Sequence, residues 1–418
     1  MIRKSRRGGP ETIASLDLGS GRVTCLIGVP EGASGAVKVL GGASVPCRGL
    51  KGGVVINIVE TTLAIARAVE EAEAAAQATV SSVWLGVRGA HLQSFNNRGA
   101  YNIARTDREI TAGDVASVVA SARAIPLSSD REILHVVPQG FSLDRQRGVP
   151  HPVGMEASLL EVEVHLVTAS SGQINNVLKA VAEAGFEVVE PVYGLLAAGE
   201  MLVTPEEKDL GCALIDIGGQ SISLGVYSEG AIKHSKELPL GADFITRDLA
   251  VGLKTSIATA ERIKIEHGFA HPSFQDGDAE IDCHGIDGRT PLRVKTSEMK
   301  SIILPRVEDI FNAIGESLQG YEDVIAPGGA ILTGGGSRLR GTVEAAQCIL
   351  DKLPVRVGVP HPEQVRCDDV WMSPSYATAL GLLLYARSPQ RHGGAERAAR
   401  RQKPAWMRKI SSVFEEIF

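Results

Sequence analysis

Two stretches of the chain share one pattern of apolar and polar positions. Ile13-Ala-Ser-Leu-Asp17-Leu-Gly19-Ser20-Gly21 runs into Val23-Thr-Cys-Leu-Ile-Gly-Val29, and Cys212-Ala-Leu-Ile-Asp216-Ile-Gly218-Gly219-Gln220 runs into Ser221-Ile-Ser-Leu-Gly-Val-Tyr227. Each is a short apolar strand, an Asp-x-Gly turn and a second β-rich strand, which predicts a tight hairpin. The copies lie about one domain length apart, so the pattern predicts duplicated α/β lobes facing each other across a cleft. Between them, 58–78 and 173–185 read as helices, the latter closed by Gly185. Residues 82–168 differ: β-branched alternation around a 111–124 helix predicts a small inserted α+β module. Further on, 246–267 reads as a helix, 274–290 as an exposed loop or hairpin, 299–320 as an amphipathic helix and 330–333 as a buried strand. Residues 388–404 are polar, basic and rich in Gly and Ala, like a flexible linker, and 405–418 return to a helical period.

Composition narrows the class. The chain has 418 residues, 44 % apolar and 22 % charged, which suits two to three ordinary globular domains. Its 46 glycines and 4 % aromatics favour α/β structure with many strand–helix turns. A net charge of −6 lacks the basic excess of a nucleic-acid binder. No run of 18 apolar residues predicts a membrane span, and Arg3, Lys4, Arg6 and Arg7 precede no apolar signal region. Cys25, Cys47, Cys212, Cys283, Cys348 and Cys367 are widely spaced, which reads as reduced thiols in the cytosol.

The turns carry the candidate chemistry. Gly19, Gly21, Gly218 and Gly219 permit close backbone approach, so amides there can cradle phosphate oxygens. Ser20 adds a hydroxyl, and Arg22 adds charge if it points inward. Asp17 and Asp216, one from each lobe, would orient water around a Mg²⁺. The plainer reading is a pair of hairpin turns. A third cluster, Gly334-Gly335-Gly336-Ser337, directly follows the 330–333 strand and offers bare backbone to a flat group or a phosphate. Glu261 and Lys264 lie one helical turn apart on one face, as a surface ion pair would.

In this order the turns resemble the two phosphate motifs and the adenosine motif of the actin, Hsp70 and hexokinase superfamily. Within it the chain resembles FtsA, the bacterial cell-division family. Arg48-Gly-Leu-Lys-Gly-Gly-Val54, Ile133-Leu-His-Val-Val-Pro-Gln139, Pro152-Val-Gly154, Val164-His-Leu-Val-Thr168, His234-Ser-Lys and Tyr376-Ala-Thr-Ala-Leu-Gly-Leu-Leu-Leu-Tyr385 carry this likeness over nearly the whole chain. The resemblance implies an α/β fold: an actin-like, two-lobed ATPase with an inserted α+β subdomain of SHS2 type and a C-terminal amphipathic helix. Residues 1–81, 169–208 and 360–387 would form the first lobe and 82–168 the insert. Residues 209–242 and 300–359 would form the second-lobe core and 243–299 its subdomain, with 388–404 the linker and 405–418 the helix. ATP with Mg²⁺ would bind Asp17, Gly19, Ser20, Gly21, Arg22, Asp216, Gly218, Gly219, Gln220, Ser221, Glu261, Lys264 and the 334–337 turn, with Glu261 and Lys264 at the ribose.

Two positions depart from the family. Gln220-Ser221 stands where a third Gly and a Thr are common, and Gln220 is expected to crowd the phosphates. Arg22 replaces a common Lys and keeps charge with a different fork. Glu190-Pro191 resembles the segment that opens a cleft helix in MreB and Hsp70, where the glutamate polarises water; a plain helix N-terminus explains the same residues. Weak or absent ATPase activity is expected. The resemblance further implies self-polymerisation on the cytoplasmic face of the inner membrane at the division site. Its implied partners are the FtsZ C-terminal tail, docking on the subdomain of about 243–300, and later divisome proteins such as FtsN at the insert. Arg247, Lys300 and Arg306, on the surface of about 243–310, offer cations to an acidic tail or simply line a solvated helix face. A PilM-like pilus-assembly homologue and a small-molecule kinase of the same superfamily are the alternatives.

In 405–418, Trp406, Met407, Ile410, Val413, Phe414, Ile417 and Phe418 fall within an arc of roughly 140° at helical spacing. Such a face, flanked by Arg408 and Lys409, suits an in-plane anchor on anionic lipid. Docking back onto the protein or a partner is the other reading.

Overall fold

The computed structural model describes residues 12–32, 35–275, 277–351 and 353–387. The expected linker and membrane helix, 388–418, lie outside the described residues.

Both predicted hairpins form. β1 (Ile13–Leu18) and β2 (Arg22–Glu31) pair antiparallel, and β3 (Ala36–Pro46) completes a meander. A short clip, β4 (Leu50–Lys51) and β5 (Val54–Val55), leads into α1 (Ile58–Ala76), whose first turn is capped by the Asn57 side chain. β6 (Ser82–Val87) then returns parallel to β1. The insert follows as β7 (Gln93–Asn102), α2 (Ala112–Arg123), β8 (Arg131–Leu143), β9 (Gln146–Val149) and β10 (Leu159–Ser170). The chain rejoins the first lobe through α3 (Ser171–Glu183), β11 (Glu187–Tyr193) and α4 (Gly194–Leu202). After α5 (Pro205–Leu210), β12 (Cys212–Ile217), β13 (Ile222–Ser228) and β14 (Ala231–Leu238) repeat the meander. α6 (Ala242–Gly252), α7 (Ile257–His267), the hairpin β15 (Glu280–His284) with β16 (Pro291–Lys295), and α8 (Thr296–Leu318) build the second-lobe subdomain. α9 (Glu322–Ile325), β17 (Ala330–Thr333), α10 (Thr342–Ile349), β18 (Val355–Val357), β19 (Val365–Arg366) and α11 (Ala377–Tyr385) complete the described chain.

The sheets show the duplication. The first runs β11-β6-β1-β2-β3-β19 and the second β14-β13-β12-β17-β18. In each, a three-stranded meander is followed by two parallel strands beside its first member. The two Asp-x-Gly turns therefore sit at equivalent strand ends within the two sheets. Side chains from both sheets, α1, α3, α4 and α11 pack one apolar core, and α6, α8 and the second sheet pack another.

Two local expectations change, and a third is resolved. Val83–Val87 belongs by pattern with the insert, yet this strand pairs with β1 in the first-lobe sheet. The helix expected over 246–267 breaks in two, because Lys254 takes a left-handed conformation (φ 54°) and Ser256 caps a new start by accepting from the Thr259 amide at 3.1 Å. The polar 274–290 stretch, open to loop or hairpin by sequence, is part of a hairpin: it carries β15 and the turn into β16.

The insert touches both lobes. Its sheet, β7-β10-β8-β9, carries α2 on one face. Toward the second lobe, Ser94 Oγ donates to the Ser235 carbonyl at 2.6 Å and Gln139 Nε2 donates to the Ile232 carbonyl at 2.6 Å. His165 bridges the Asn96 side chain at 2.7 Å and Ser235 Oγ at 2.8 Å. Toward the first lobe, the Tyr193 amide donates to His135 at 2.9 Å.

At the centre, α11 crosses α4 so closely that a Cβ on Gly381 would lie 1.9 Å from the Ala197 carbonyl oxygen. Backbone cannot yield there as a side-chain tip would. Gly381→Ala is expected to destabilise the protein by about 1–3 kcal/mol through overpacking, read as a lower urea midpoint; an unchanged midpoint would show that the two helices are not locked together.

Candidate functional site

The phosphate-type turns are the same structure twice. In the first, Asp17 pairs across the hairpin with Thr24 and the Gly19 amide donates to the Arg22 carbonyl at 2.9 Å. In the second, Asp216 pairs with Ser223 and the Gly218 amide donates to the Ser221 carbonyl at 3.0 Å. The N-terminus of α6 seats on the second turn: the Ala242 and Asp243 amides take the Gly218 and Gly219 carbonyls at 3.0 and 2.8 Å. Among the described residues, the Ser20, Gly21, Gly219 and Gln220 amides donate to no backbone carbonyl. Such free amides at a tight turn form an anion-binding nest.

The third cluster adjoins them. β17 runs parallel to β12 with Thr333 opposite Asp216, so the Gly334 turn begins beside the second aspartate. Gly334 has φ 82°, and a side chain there would collide with Asp216 Oδ1. A Cβ on Gly335 would meet only Ser375 Oγ, at 3.9 Å, so this glycine presents open backbone. Gly336 instead packs on Ile217, and the buried Ser337 hydroxyl ties the turn by donating to the Gly334 carbonyl at 2.8 Å.

Other predicted residues have other partners. Arg22 turns along the sheet, its Nε on Ser44 Oγ at 3.0 Å, so its charge is directed away from the turn. Gln220 is drawn aside by Asp243, to which its amide donates at 2.9 Å, and Ser221 is buried behind it. Lys264 is buried rather than solvated; it contacts Glu261 at 2.7 Å, Thr246 Oγ1 at 2.8 Å and the Ala242 carbonyl at 3.2 Å. The pair therefore links α7 to the start of α6, behind the second turn. Glu190 lies inside β11, at a register shift opposite Trp84, and α4 begins only at Gly194. Since Asp17 is opposite Gly86, Glu190 sits two strands across and about 7 Å back along the sheet from Asp17.

A residue without a motif occupies the centre. Arg88, directly after β6, donates from Nη2 to Asp17 Oδ1 at 2.8 Å and from Nη1 to Asp216 Oδ2 at 3.4 Å. The Thr378 hydroxyl also donates to Asp216 Oδ2, at 3.3 Å. Burial opposes the Arg88 charge, but Asp17, Asp216 and Glu237 outweigh it and hold the guanidinium protonated more firmly than usual. Burial also pushes the Asp17 carboxyl up, with Arg88 opposing and Asp216 adding to the push. The one sequence signal for Arg88 is a cation placed at the C-terminal end of a buried strand. The two carboxylates expected to hold Mg²⁺ through water are thus already bridged by an organic cation, and with that cation between them they do not fit the metal.

These features define an actin-like, two-lobed protein with an inserted subdomain. The fold is shared by the PilM–PilN type IV pilus biogenesis complex, at 18 % identity and TM-score 0.65 over 89 % of this chain and 98 % of that one. It is also shared by MreB5 of Spiroplasma citri bound to ADP, at 14 % identity and TM-score 0.56 over 90 % and 96 % of the two chains. The family model "Cell division protein FtsA" matches residues 213–381, and "SHS2 domain inserted in FTSA" matches residues 89–168. Cell division protein FtsA of Pseudomonas aeruginosa is 36 % identical over 91 % of this chain and 90 % of its own length. That of Escherichia coli K12 is 30 % identical over 100 % of both, and that of Bacillus subtilis 32 % identical over 90 % and 83 %. The chain belongs to the FtsA family of cell division proteins.

Glu237, opposite Ser223 in the second sheet, accepts from the Gly89 amide at 3.0 Å, immediately beside Arg88. Burial pushes its carboxyl up to about 7, against the pull of Ser223, Tyr193, Gly89 and Arg88. The folded chain then holds this proton to higher pH than the unfolded chain, so stability falls as pH rises from about 4.5 to about 7. Glu237→Gln is expected to exceed the native protein in stability at pH 8, by at most roughly 3 kcal/mol, with the gap closing near pH 4.5. Urea unfolding at both pH values checks this; a gap equal at both would refute it.

Proposed function

We propose that this chain binds ATP between its lobes, polymerises on the cytoplasmic face of the inner membrane, tethers the FtsZ ring there and recruits later divisome proteins. Membership of the FtsA family carries the cell-division role. For the nucleotide, the supporting observation is the convergence of the paired Asp17 and Asp216 turns, with their free amides, on the open backbone of Gly335. Gly19, Ser20, Gly21, Gly218, Gly219 and Gln220 would hold the phosphates, and the 334–336 turn the adenosine. Glu261 and Lys264 would act from behind the second turn. No share is assigned to Mg²⁺ at Asp17 and Asp216, whose carboxylates Arg88 occupies.

Turnover is proposed to be slow, and the reason lies in Glu190. A water-positioning group must reach the terminal phosphate, whereas Glu190 stands two strands across from Asp17. Gln220, held by Asp243, supplies no such hindrance. The nucleotide then serves as a ligand that fixes subunit shape and biases assembly.

The proposed dock for the FtsZ tail is the second-lobe subdomain. Val251, Ile257, Ile265 and Ile286 are 78 %, 56 %, 71 % and 79 % exposed there, enough to meet apolar residues of a partner. Arg247 is exposed and Lys300 half-buried, and both are available to acidic groups. Arg306 is already engaged by Asp248 at 2.6 Å and Asp309 at 3.0 Å, so its charge is largely used within the subdomain. FtsN and other late proteins are proposed to meet the insert. No helix among the described residues is long and apolar enough to cross a membrane. Attachment is therefore assigned to 405–418, a short amphipathic segment whose weak lipid affinity polymerisation would multiply.

Two measurements test this reading. Gly335→Val places its side chain into open space, so the protein should fold normally and lose ATP affinity by about tenfold or more; unchanged affinity would remove the adenosine assignment. Deleting 405–418, or Trp406→Glu, should release the protein from vesicles containing anionic lipid while ATP affinity is retained. Undiminished co-sedimentation would defeat the anchor.

A further inference from the structure

The cleft is built around a cation that the protein supplies itself. β6 runs parallel to β1 with Gly86 opposite Asp17, so Arg88 stands two residues beyond that aspartate, where the strands end. Two backbone segments cross tightly there. A Cβ on Gly53 would lie 2.0 Å from the Arg88 carbonyl oxygen, and one on Gly89 would lie 2.3 Å from the Gly52 carbonyl oxygen. Gly53 and Gly89 have φ of 81° and 114°, conformations a side chain would disfavour, so the crossing requires glycine twice over. It fixes the Arg88 backbone and aims the side chain inward. The guanidinium reaches the second turn as well: a Cβ on Gly218 would stand 4.0 Å from Nη1.

We propose that Arg88 is a resident counter-cation that replaces the divalent metal in this site, so that the chain binds nucleotide phosphates without Mg²⁺. The inference rests on the reading of the cleft as an ATP site. A Mg²⁺ held through its water shell lies about 4 Å from the carboxylate oxygens it serves. The central carbon of a guanidinium hydrogen-bonded to a carboxylate lies at about the same distance, so the two cations claim one place. Arg88 holds that place against Asp17 and Asp216 together, and it cannot release its proton. One further atom points to a missing ligand: Arg88 is 10 % exposed, yet its buried Nε has no partner. A guanidinium with unused N–H groups beside the Gly218 turn matches a phosphate oxygen, since its planar fork donates on more than one edge. A lysine or a metal would neutralise charge there without that fork.

The experiment compares ATP affinity of the full chain in excess EDTA and in millimolar Mg²⁺, by equilibrium binding. The native protein should bind within about threefold in the two conditions. Arg88→Gln should bind about tenfold or more weakly in EDTA and regain affinity with Mg²⁺, which can then enter between the carboxylates. Arg88→Lys keeps a charge and should stay metal-independent while binding more weakly. Native binding that appears only with Mg²⁺ would overturn the proposal while leaving the ATP site intact, and this arm needs no variant to fold. Metal-independent binding undiminished in a folded Arg88→Gln protein would also overturn it. Absence of ATP binding in both conditions would remove the nucleotide reading and this proposal with it.

Discussion

Two carboxylates on equivalent turns of facing lobes repel each other in a sheltered cleft unless a positive charge stands between them. Asp17 and Asp216 are both nearly buried, and the packing of one lobe against the other brings their two turns to the same cation. Arg88 resolves the conflict from the end of β6 and, in doing so, ties the first-lobe sheet to the second-lobe turn. A buried pair of this kind adds little net stability over an apolar filling, but losing one partner strands the others and is costly. The guanidinium thereby specifies the cleft: it sets where the two lobes meet, and Glu237 is packed beside it through the Gly89 amide.

The insert makes that meeting point rigid from a second side. His135 anchors it to Tyr193, at the strand end that leads into α4, while Ser94, Gln139 and His165 anchor it to β14. Burial lowers His165 to about 4, with His234 adding to the effect, so its ring is neutral at physiological pH and bonds as a neutral acceptor and donor. A protein that grips the insert therefore also touches the relation between the lobes. α4 and α11, crossing at Gly381, lie along the same join, and Thr378 of α11 reaches Asp216 directly. The insert, the α4–α11 crossing and the Asp17–Asp216 cleft thus form one continuous packed system.

The exposed apolar residues of the second-lobe subdomain stand apart from this system. Val251, Ile257, Ile265 and Ile286 are carried by α6, α7 and the β15–β16 turn, whose inward faces are fully used in the core with α8. The subdomain can offer these side chains outward because its stability does not depend on them. An exposed apolar face and a core are built from opposite faces of the same helices.

The sequence by itself determined the features that depend on a few neighbouring residues. The hairpins around Asp17 and Asp216, the Gly334–Gly336 turn after β17 and the helix capped by Thr111 all follow from side-chain period and local turn chemistry. These acts are local, because a strand's alternation or a cap's hydrogen bond reaches no further than three or four positions along the chain. Tertiary structure alone decided where the long side chains point. Arg22 went to Ser44 and Gln220 to Asp243, and Lys264 was drawn into a buried link with Thr246, because each found a partner on another element. Arg88 is the strongest case: its partners lie 71 and 128 residues away in the chain. Nothing near position 88 encodes them. The parallel register of β6 on β1, and the packing of one lobe against the other, bring three charges together, and electrostatics in a sheltered site then holds them there.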